Sequence, residues 1–595
     1  MRFFDGENMY GGYDMRDKNR NNGYTLIIIM AVVFLGLMYC WWQGEKEDFE
    51  TEEEQPPVEE IYRNVWISDA AEGRIRVCKE GRAYEFAIHD SVNIAEKFAD
   101  ITVTEDVVTH IALKEEEISG KIIAINEDSI VIEGYGNVAL AKDVAVIEKD
   151  NELKFLTMKD VIVGCDSARI VVGDGCVCGI IIEEQYDVQN IRVLIMTDNY
   201  YDLYHDEVAV TAATGYEVKI GNAVEYYGVY EKKTISAEDF GDEDRIYIAA
   251  KDEGKIELAS LKRSGGAPSY RGIIELVLTD KGILVINELG LEEYLYAVLP
   301  SEMPANYGVE AMKAQAVCAR SYAYKQILDN KLGYLGAHVN DSSQYQVYNN
   351  MGENKVAIEA VNATKGQILV HEDEIVEAYY FSTSCGHTTD ADIWGNSLGY
   401  IKGKLTDGSN LQMLLDTEEK FAEFIKNKDF KSYDMVHEWY RWEVDFTFDR
   451  LTDNIRSAGL YKNVGEVKEI EIIERKTGGI VNKIRVTGNS GSIIVEDQNT
   501  IRRLLNPNGL DIVRMDKTIV DNFTLLPSAY FTLEPLYQEG AVCGYRLYGG
   551  GFGHGVGMSQ KGAKTMTDIG MKYDEILRYY YDEITIRNCY SDIGK

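Results

Sequence analysis

The sequence predicts an α+β protein: an N-terminal transmembrane helix, then small all-β modules, then a mixed α+β domain. Three observations carry this. An uncharged apolar stretch runs from Tyr24 to Trp42; short apolar runs separated by Gly, Asn and Asp turns fill the region from about Tyr62 to Tyr186; and apolar residues at helical spacing begin only near Leu291. The chain accordingly divides into a cytoplasmic tail (1–23), the transmembrane helix (24–42), an acidic linker (43–61), β-rich modules (62–188) and the mixed domain (189–590).

The apolar stretch is roughly 19 residues long, close to the ~20 that a helix needs to cross a bilayer. Trp41 and Trp42 suit an interfacial belt, and Arg16, Lys18 and Arg20 precede the span whereas acid dominates Glu45 to Glu60. By the positive-inside rule the N-terminus lies in the cytoplasm and the bulk of the chain outside. A cleaved signal peptide would need small residues where Met38, Tyr39, Cys40 and Trp41 stand, so an uncleaved single-pass anchor is expected.

The acidic segment, with Gln55-Pro56-Pro57, cannot bury enough apolar area to fold and reads as a spacer. In the β-rich region, Lys121 to Ile125 and Ile130 to Glu133 flank a turn at Asn126 to Ser129. A second pair, Arg169 to Val172 and Cys176 to Ile182, flanks Gly173-Asp174-Gly175. Both patterns predict hairpins. More strands follow, including Ile191 to Met196 and Gly272 to Leu278; then Leu291, Tyr294, Leu295, Val298 and Leu299 mark one helical face, which Pro300 and Pro304 are expected to end. A second helix spans about Val309 to Leu328, and the loop Pro300-Ser301-Glu302-Met303-Pro304 is expected between the two.

Charge and cysteine usage exclude several function classes. The 595 residues carry a formal net charge of −38, which repels polyanions, so no nucleic-acid partner is expected and a neutral or zwitterionic substrate fits better. The nine cysteines are too sparse and scattered for a disulfide-stapled exterior, and they show no paired zinc spacing. Cys176 and Cys178 read as core packing.

Candidate chemistry lies in the mixed domain. Glu302, between two prolines and beside a hydrophobic helix, is placed to be desolvated, which raises a carboxyl pKa toward what a general acid needs at neutral pH. Arg320 falls inside the apolar stripe of the second helix and needs a buried partner; Glu302 is one candidate and an unrelated ion pair is the other. Cys385 and His387 lie in a hydroxyl-rich turn, Ser382-Thr383-Ser384-Cys385-Gly386-His387-Thr388, where nothing nearby completes a metal set or a nucleophile–base set. Hydrogen bonding to sugar is the simpler role. The Gly549 to Ala563 segment lacks the Walker and Rossmann spacings; read as a strand, it would set Phe552, His554, Val556 and Met558 on one face, with bare glycine opposite for a ligand.

Four ordered blocks carry a family resemblance. They are Glu292-Glu293-Tyr294-Leu295 through Pro300-Ser301-Glu302-Met303-Pro304; Glu310 to Ala323; Ser384 to Thr388 with Trp394-Gly395 and Tyr400-Ile401-Lys402-Gly403; and Gly553 to Gln560. Together they resemble the stage II sporulation protein D (SpoIID/LytB) family over roughly Asn190 to Asn588. The resemblance implies a peptidoglycan lytic transglycosylase at the cell membrane, its catalytic domain extracytoplasmic, with Glu302 as catalytic acid and glycan strands as substrate. It implies substrate-positioning or loop-bracing roles for Gln315, Arg320, Ser384, His387, His554 and Gln560. By the same implication the protein works in a spore-forming bacterium on strands already stripped by an amidase, during engulfment; the added β region would fit a vegetative wall-remodelling relative instead. No cofactor is expected. Some family members hold zinc near the block His338 to Tyr348; here Tyr345 stands where those members have a cysteine, so no structural zinc is expected. Two rival readings remain: a non-catalytic enhancer of an N-acetylmuramoyl-L-alanine amidase, and a wall-binding scaffold in which the β modules act.

Overall fold

The structure is a computed structural model that describes residues 58–89, 94–149, 153–183, 189–409 and 411–591. Its first unit is a small closed barrel of five strands, Glu59–Ala71, Arg74–Lys79, Arg82–Ile88, Lys97–Thr104 and Val107–Lys114. Tight turns at Glu72-Gly73 and Glu80-Gly81 take positive φ at both residues, the geometry that matches the right-handed twist of paired strands. Val65, Ile67, Ile75, Val77 and Ile101 point inward and fill the barrel.

A seven-stranded sheet follows between Glu116 and Ile182. Both expected hairpins are present in it: Ile122–Ile125 pairs with Ser129–Ile132, and Ala168–Gly173 pairs with Cys176–Ile182. The barrel and this sheet share a small core of Trp66, Cys78, Phe98 and Cys178. The sheet in turn leans on the following domain: Nε2 of His338 bonds the Val163 carbonyl at 2.8 Å, Asn330 donates to the Val161 carbonyl at 3.1 Å, and Lys121 pairs with Glu288.

The next region centres on an eight-stranded sheet whose middle is the hairpin Ile273–Thr279 and Gly282–Gly290. Three helices follow: α1 (Leu291–Glu302), α2 (Val309–Asp329) and α3 (Lys355–Ala363). The expected loop between the prolines is not what forms. Helix α1 runs through Pro300 and ends on Glu302, with Met303 extended and its N–H bonded to the Leu299 carbonyl. Pro300 has no N–H to give the Tyr296 carbonyl and its ring crowds that carbonyl, a distortion confined to the end of the helix because the chain turns extended at Met303.

Farther on, Trp442–Thr447, Ala541–Gly549 and Phe531–Gln538 join two short strands in a five-stranded sheet, and Val467–Arg475, Val481–Gly488 and Ser492–Glu496 form another. Together these make a lobe with its own core around Trp442, Phe446, Ile484 and Leu547. After the lobe the chain returns, and Met558–Ser559 pairs in parallel with Tyr380–Phe381. Helices Gln560–Asp568 and Tyr573–Tyr580 close the domain against α2.

Two further expectations are corrected. The architecture of the described residues is mixed α+β with no membrane-spanning helix: none is long and apolar enough to cross a bilayer. The longest, α2, carries Glu310, Lys313, Arg320, Lys325 and Asp329 along its 21 residues. The expected transmembrane helix at 24–42 lies outside the described residues. The glycine-rich segment is not a strand before Met558, because Gly551, Gly553, Gly555 and Gly557 all take positive φ and coil the chain. Its bare faces meet the protein itself. A Cβ at Gly555 would lie 2.3 Å from the Tyr530 hydroxyl, and one at Gly557 would lie 2.0 Å from the Tyr379 carbonyl oxygen.

Candidate active site

Helix α1 delivers Glu302 to the wall of a cavity of about 810 Å³, closed on its other sides by residues 343–347, 379–382, 394–396 and 552–554. Among the described residues that line it, Glu302 is the one charged side chain; the rest are aromatic, amide, hydroxyl or aliphatic. Burial pushes its carboxyl pKa up to about 7, opposed by the Val347 N–H, which donates to Oε1 at 2.7 Å and favours the anion. A carboxyl poised near neutrality can give a proton and take one back.

Aromatic rings make most of the opposite wall. Tyr379 and Trp394 lie 4.9 Å apart between ring centres, Trp394 and His554 5.0 Å, and Phe381 and His554 5.6 Å. Flat apolar ring faces with hydroxyl and amide groups between them suit the two kinds of surface that a sugar presents.

His554 lines this cavity, yet both its ring nitrogens serve the protein. The Val556 N–H donates to Nδ1 at 3.1 Å, which leaves the proton on Nε2, 3.0 Å from the Tyr380 carbonyl that accepts it. Burial, aided by the charge of Arg502, pushes its pKa down to about 4, so the ring is neutral and fixed. Gln560 also lines the cavity; its Nε2 donates to the Glu302 carbonyl at 3.1 Å and ties the end of α1 to the C-terminal helix. Gln315 lies behind it, fully buried on α2, with Oε1 accepting from Gln560 at 3.4 Å.

The other expected site residues lie elsewhere. Arg320 does not meet Glu302. Its guanidinium grips Glu292 with two bonds, 2.9 Å from Nε and 2.7 Å from Nη2, and donates to the carbonyl of Gln367 at 3.0 Å. Glu292 also accepts from the Gly366 N–H and the Tyr590 hydroxyl, so this buried pair ties α1 and α2 to the end of the chain. Ser384 is buried off the cavity, with its N–H on Asp434 at 2.9 Å and its hydroxyl accepting from the Gly386 N–H at 3.0 Å.

His387 is buried as well, its Nδ1 2.6 Å from the Thr388 carbonyl and its Nε2 accepting from the Met413 N–H at 3.1 Å. Beside it, burial pushes the Cys385 thiol up to about 12, the opposite of what a nucleophile needs. His338 is similarly engaged, between the Arg192 N–H and the Val163 carbonyl. Among the described residues no three His, Cys, Asp or Glu side chains gather as a metal set.

Sequence reasoning passed over Tyr322, Gln346, Val347 and Tyr380, all of which line the cavity. In the sequence the Gln344-Tyr345-Gln346-Val347 block bears only on the question of a metal, and Val347 contributes a backbone N–H that no residue type encodes. The one available signal was the density of tyrosines in the two segments.

Residues 279–371 match the family model described as Stage II sporulation protein (SpoIID), and residues 388–557 match one described as a domain of unknown function (DUF8618). An uncharacterized protein of Brachyspira hyodysenteriae is 28% identical over 320 residues, covering 53% of this chain and 72% of that one. The Amidase enhancer of Bacillus subtilis is 27% identical over 304 residues, 49% of this chain and 40% of the relative. Stage II sporulation protein D of the same organism is 26% identical over 325 residues, 52% of this chain and 78% of the relative. The matched family segment contains Glu302 and the whole of α1 and α2, so the resemblance to the stage II sporulation protein D (SpoIID) family holds over that segment.

Proposed function

We propose that this protein acts on the bacterial cell wall in a sporulation-related role, outside the cytoplasm, as a lytic transglycosylase of peptidoglycan glycan strands. The observation that carries the reading is a lone carboxyl, Glu302, with its pKa near 7 in an otherwise uncharged, aromatic-lined cavity. Protonated Glu302 gives its proton to the glycosidic oxygen between N-acetylmuramic acid and N-acetylglucosamine, and the C1–O bond breaks. The 6-hydroxyl of the muramic residue then attacks C1 and yields its proton to the Glu302 carboxylate, which closes the 1,6-anhydro ring and restores the acid. No water is consumed, so the second carboxylate of an ordinary glycosidase is not required.

The similarity to a protein named Amidase enhancer favours a second reading, in which this chain stimulates a cell-wall amidase. One experiment separates the two. Peptidoglycan, with and without amidase pretreatment, is incubated with wild type or Glu302→Gln and its fragments are weighed by mass spectrometry. Anhydromuramic ends that depend on Glu302 support the transglycosylase; no such ends but faster cleavage by an added amidase supports the enhancer.

A further inference from the structure

Next to Glu302 the cavity presents a second group whose orientation the protein has arranged in advance. Gln346 is buried beneath the floor. The Ala319 carbonyl, which can only accept, lies 3.2 Å from Nε2 of Gln346 and so fixes which end of the amide faces it. The other end, Oε1, then accepts from the Tyr294 hydroxyl at 3.3 Å. The second Nε2 hydrogen points at the Tyr380 hydroxyl oxygen, 3.1 Å away. Tyr380 therefore accepts from Gln346, and its own hydroxyl proton has no acceptor among the described residues.

The ring that carries this hydroxyl is held as well. The Tyr380 backbone pairs with Met558, its carbonyl accepts from His554 Nε2, and both Tyr380 and Gln346 line the cavity with Glu302. We propose that Tyr380 is a substrate-contacting residue, donating its hydroxyl hydrogen to an acceptor oxygen of the sugar whose glycosidic bond Glu302 opens. This rests on the reading of the cavity as a glycan site. No proton is transferred in this contact; it is a hydrogen bond that holds the sugar against the acid. Burial, reinforced by the neighbouring charge of Glu302, raises the Tyr380 pKa well above 10, so the donor keeps its hydrogen wherever Glu302 works.

Two neighbouring cavity hydroxyls lack this preparation: that of Tyr379 already donates its hydrogen to Glu377. Tyr322 has no hydrogen-bond partner among the described residues and nothing fixes its hydroxyl, so a bound sugar would bear the entropy of ordering it. Tyr380 thus differs from both Tyr379 and Tyr322 in offering a positioned, unspent donor.

The test uses the full chain and two readouts. On glycan strands, Tyr380→Phe should raise KM about tenfold, the usual worth of one hydrogen bond, with kcat and the thermal midpoint close to wild type. In parallel, calorimetry of a neutral six-residue N-acetylglucosamine oligomer against Glu302→Gln and against Glu302→Gln/Tyr380→Phe should show about tenfold weaker binding by the double variant. An unchanged affinity for the oligomer would overturn the assignment even if wild type released no anhydro ends. Absent ends together with a Tyr380-dependent affinity would sink the reaction reading and keep Tyr380 as a sugar contact. A lowered thermal midpoint that accounts for the lost affinity would reduce Tyr380 to a structural residue.

Discussion

At the scale of one residue, the raised pKa of Glu302 bears on both the proposed reaction and the stability. In the proposed reaction Glu302 must be protonated before each turnover, so the rate on glycan should fall as pH rises through about 7. The stability sign follows from the same shift. The folded pKa lies above the unfolded value of 4.5, so the folded chain holds this proton more tightly, and the stability it contributes is full below about 4.5 and is lost as pH rises through about 7. Glu302→Gln removes that loss while the amide oxygen can still accept from the Val347 N–H. The variant should cut no glycan yet be more stable than wild type above pH 7, by up to about 3 kcal/mol, in denaturant titrations at pH 5 and pH 8. Equal stability at both pH values would mean that the carboxyl is better solvated than its place in the cavity implies. Glu302 itself was legible in the sequence mainly through the family block Pro300-Ser301-Glu302-Met303-Pro304, since a proline-flanked glutamate alone says little; Val347 was not, because its contribution is a backbone N–H brought in by the fold.

At the scale of elements, α1 owes its position to Arg320 and Gln560 rather than to a stiff loop. Arg320→Ala would strand Glu292 in a buried place with fewer donors, and breaking such a pair costs about 3–5 kcal/mol. The denaturation midpoint should drop accordingly; a stable variant would show that the Gly366 N–H and the Tyr590 hydroxyl suffice for Glu292. The glycine-rich segment makes a parallel case. Gly555 sits at φ +82 with its Cβ direction blocked by Tyr530, so Gly555→Ala should cost at least about 1–2 kcal/mol from the left-handed backbone alone. Wild-type thermal stability in that variant would show that the segment can uncoil. The alternation of glycine was plain in the sequence, but its meaning was inverted: it reads as a bare strand face for a ligand, whereas the chain needs glycine to coil tightly against Tyr379, Phe381 and Tyr530.

At the scale of the whole molecule, no described residue before Glu302 lines the cavity, yet the seven-stranded sheet leans on the same domain through His338, Asn330 and Glu288. Removing everything before residue 189 exposes those groups without touching the cavity wall. The truncated protein should unfold at a lower temperature in calorimetry and still cleave soluble glycan. Loss of cleavage with an unchanged melting temperature would assign the β region a part in substrate capture and revive the scaffold reading.

The sequence by itself determined the family blocks, the hairpins of the β region, the helical face from Leu291 and the acid at 302, because each is written in local periodicity, turn residues or residue order. Only the tertiary structure decided which groups meet. It gave Arg320 to Glu292 rather than Glu302, withdrew Ser384 and His387 from the cavity, and joined Tyr380 to Gln346 and Gln560 to the end of α1. Those pairings span tens to hundreds of residues, and distances across such separations are set by how helices and sheets pack, which no local pattern records.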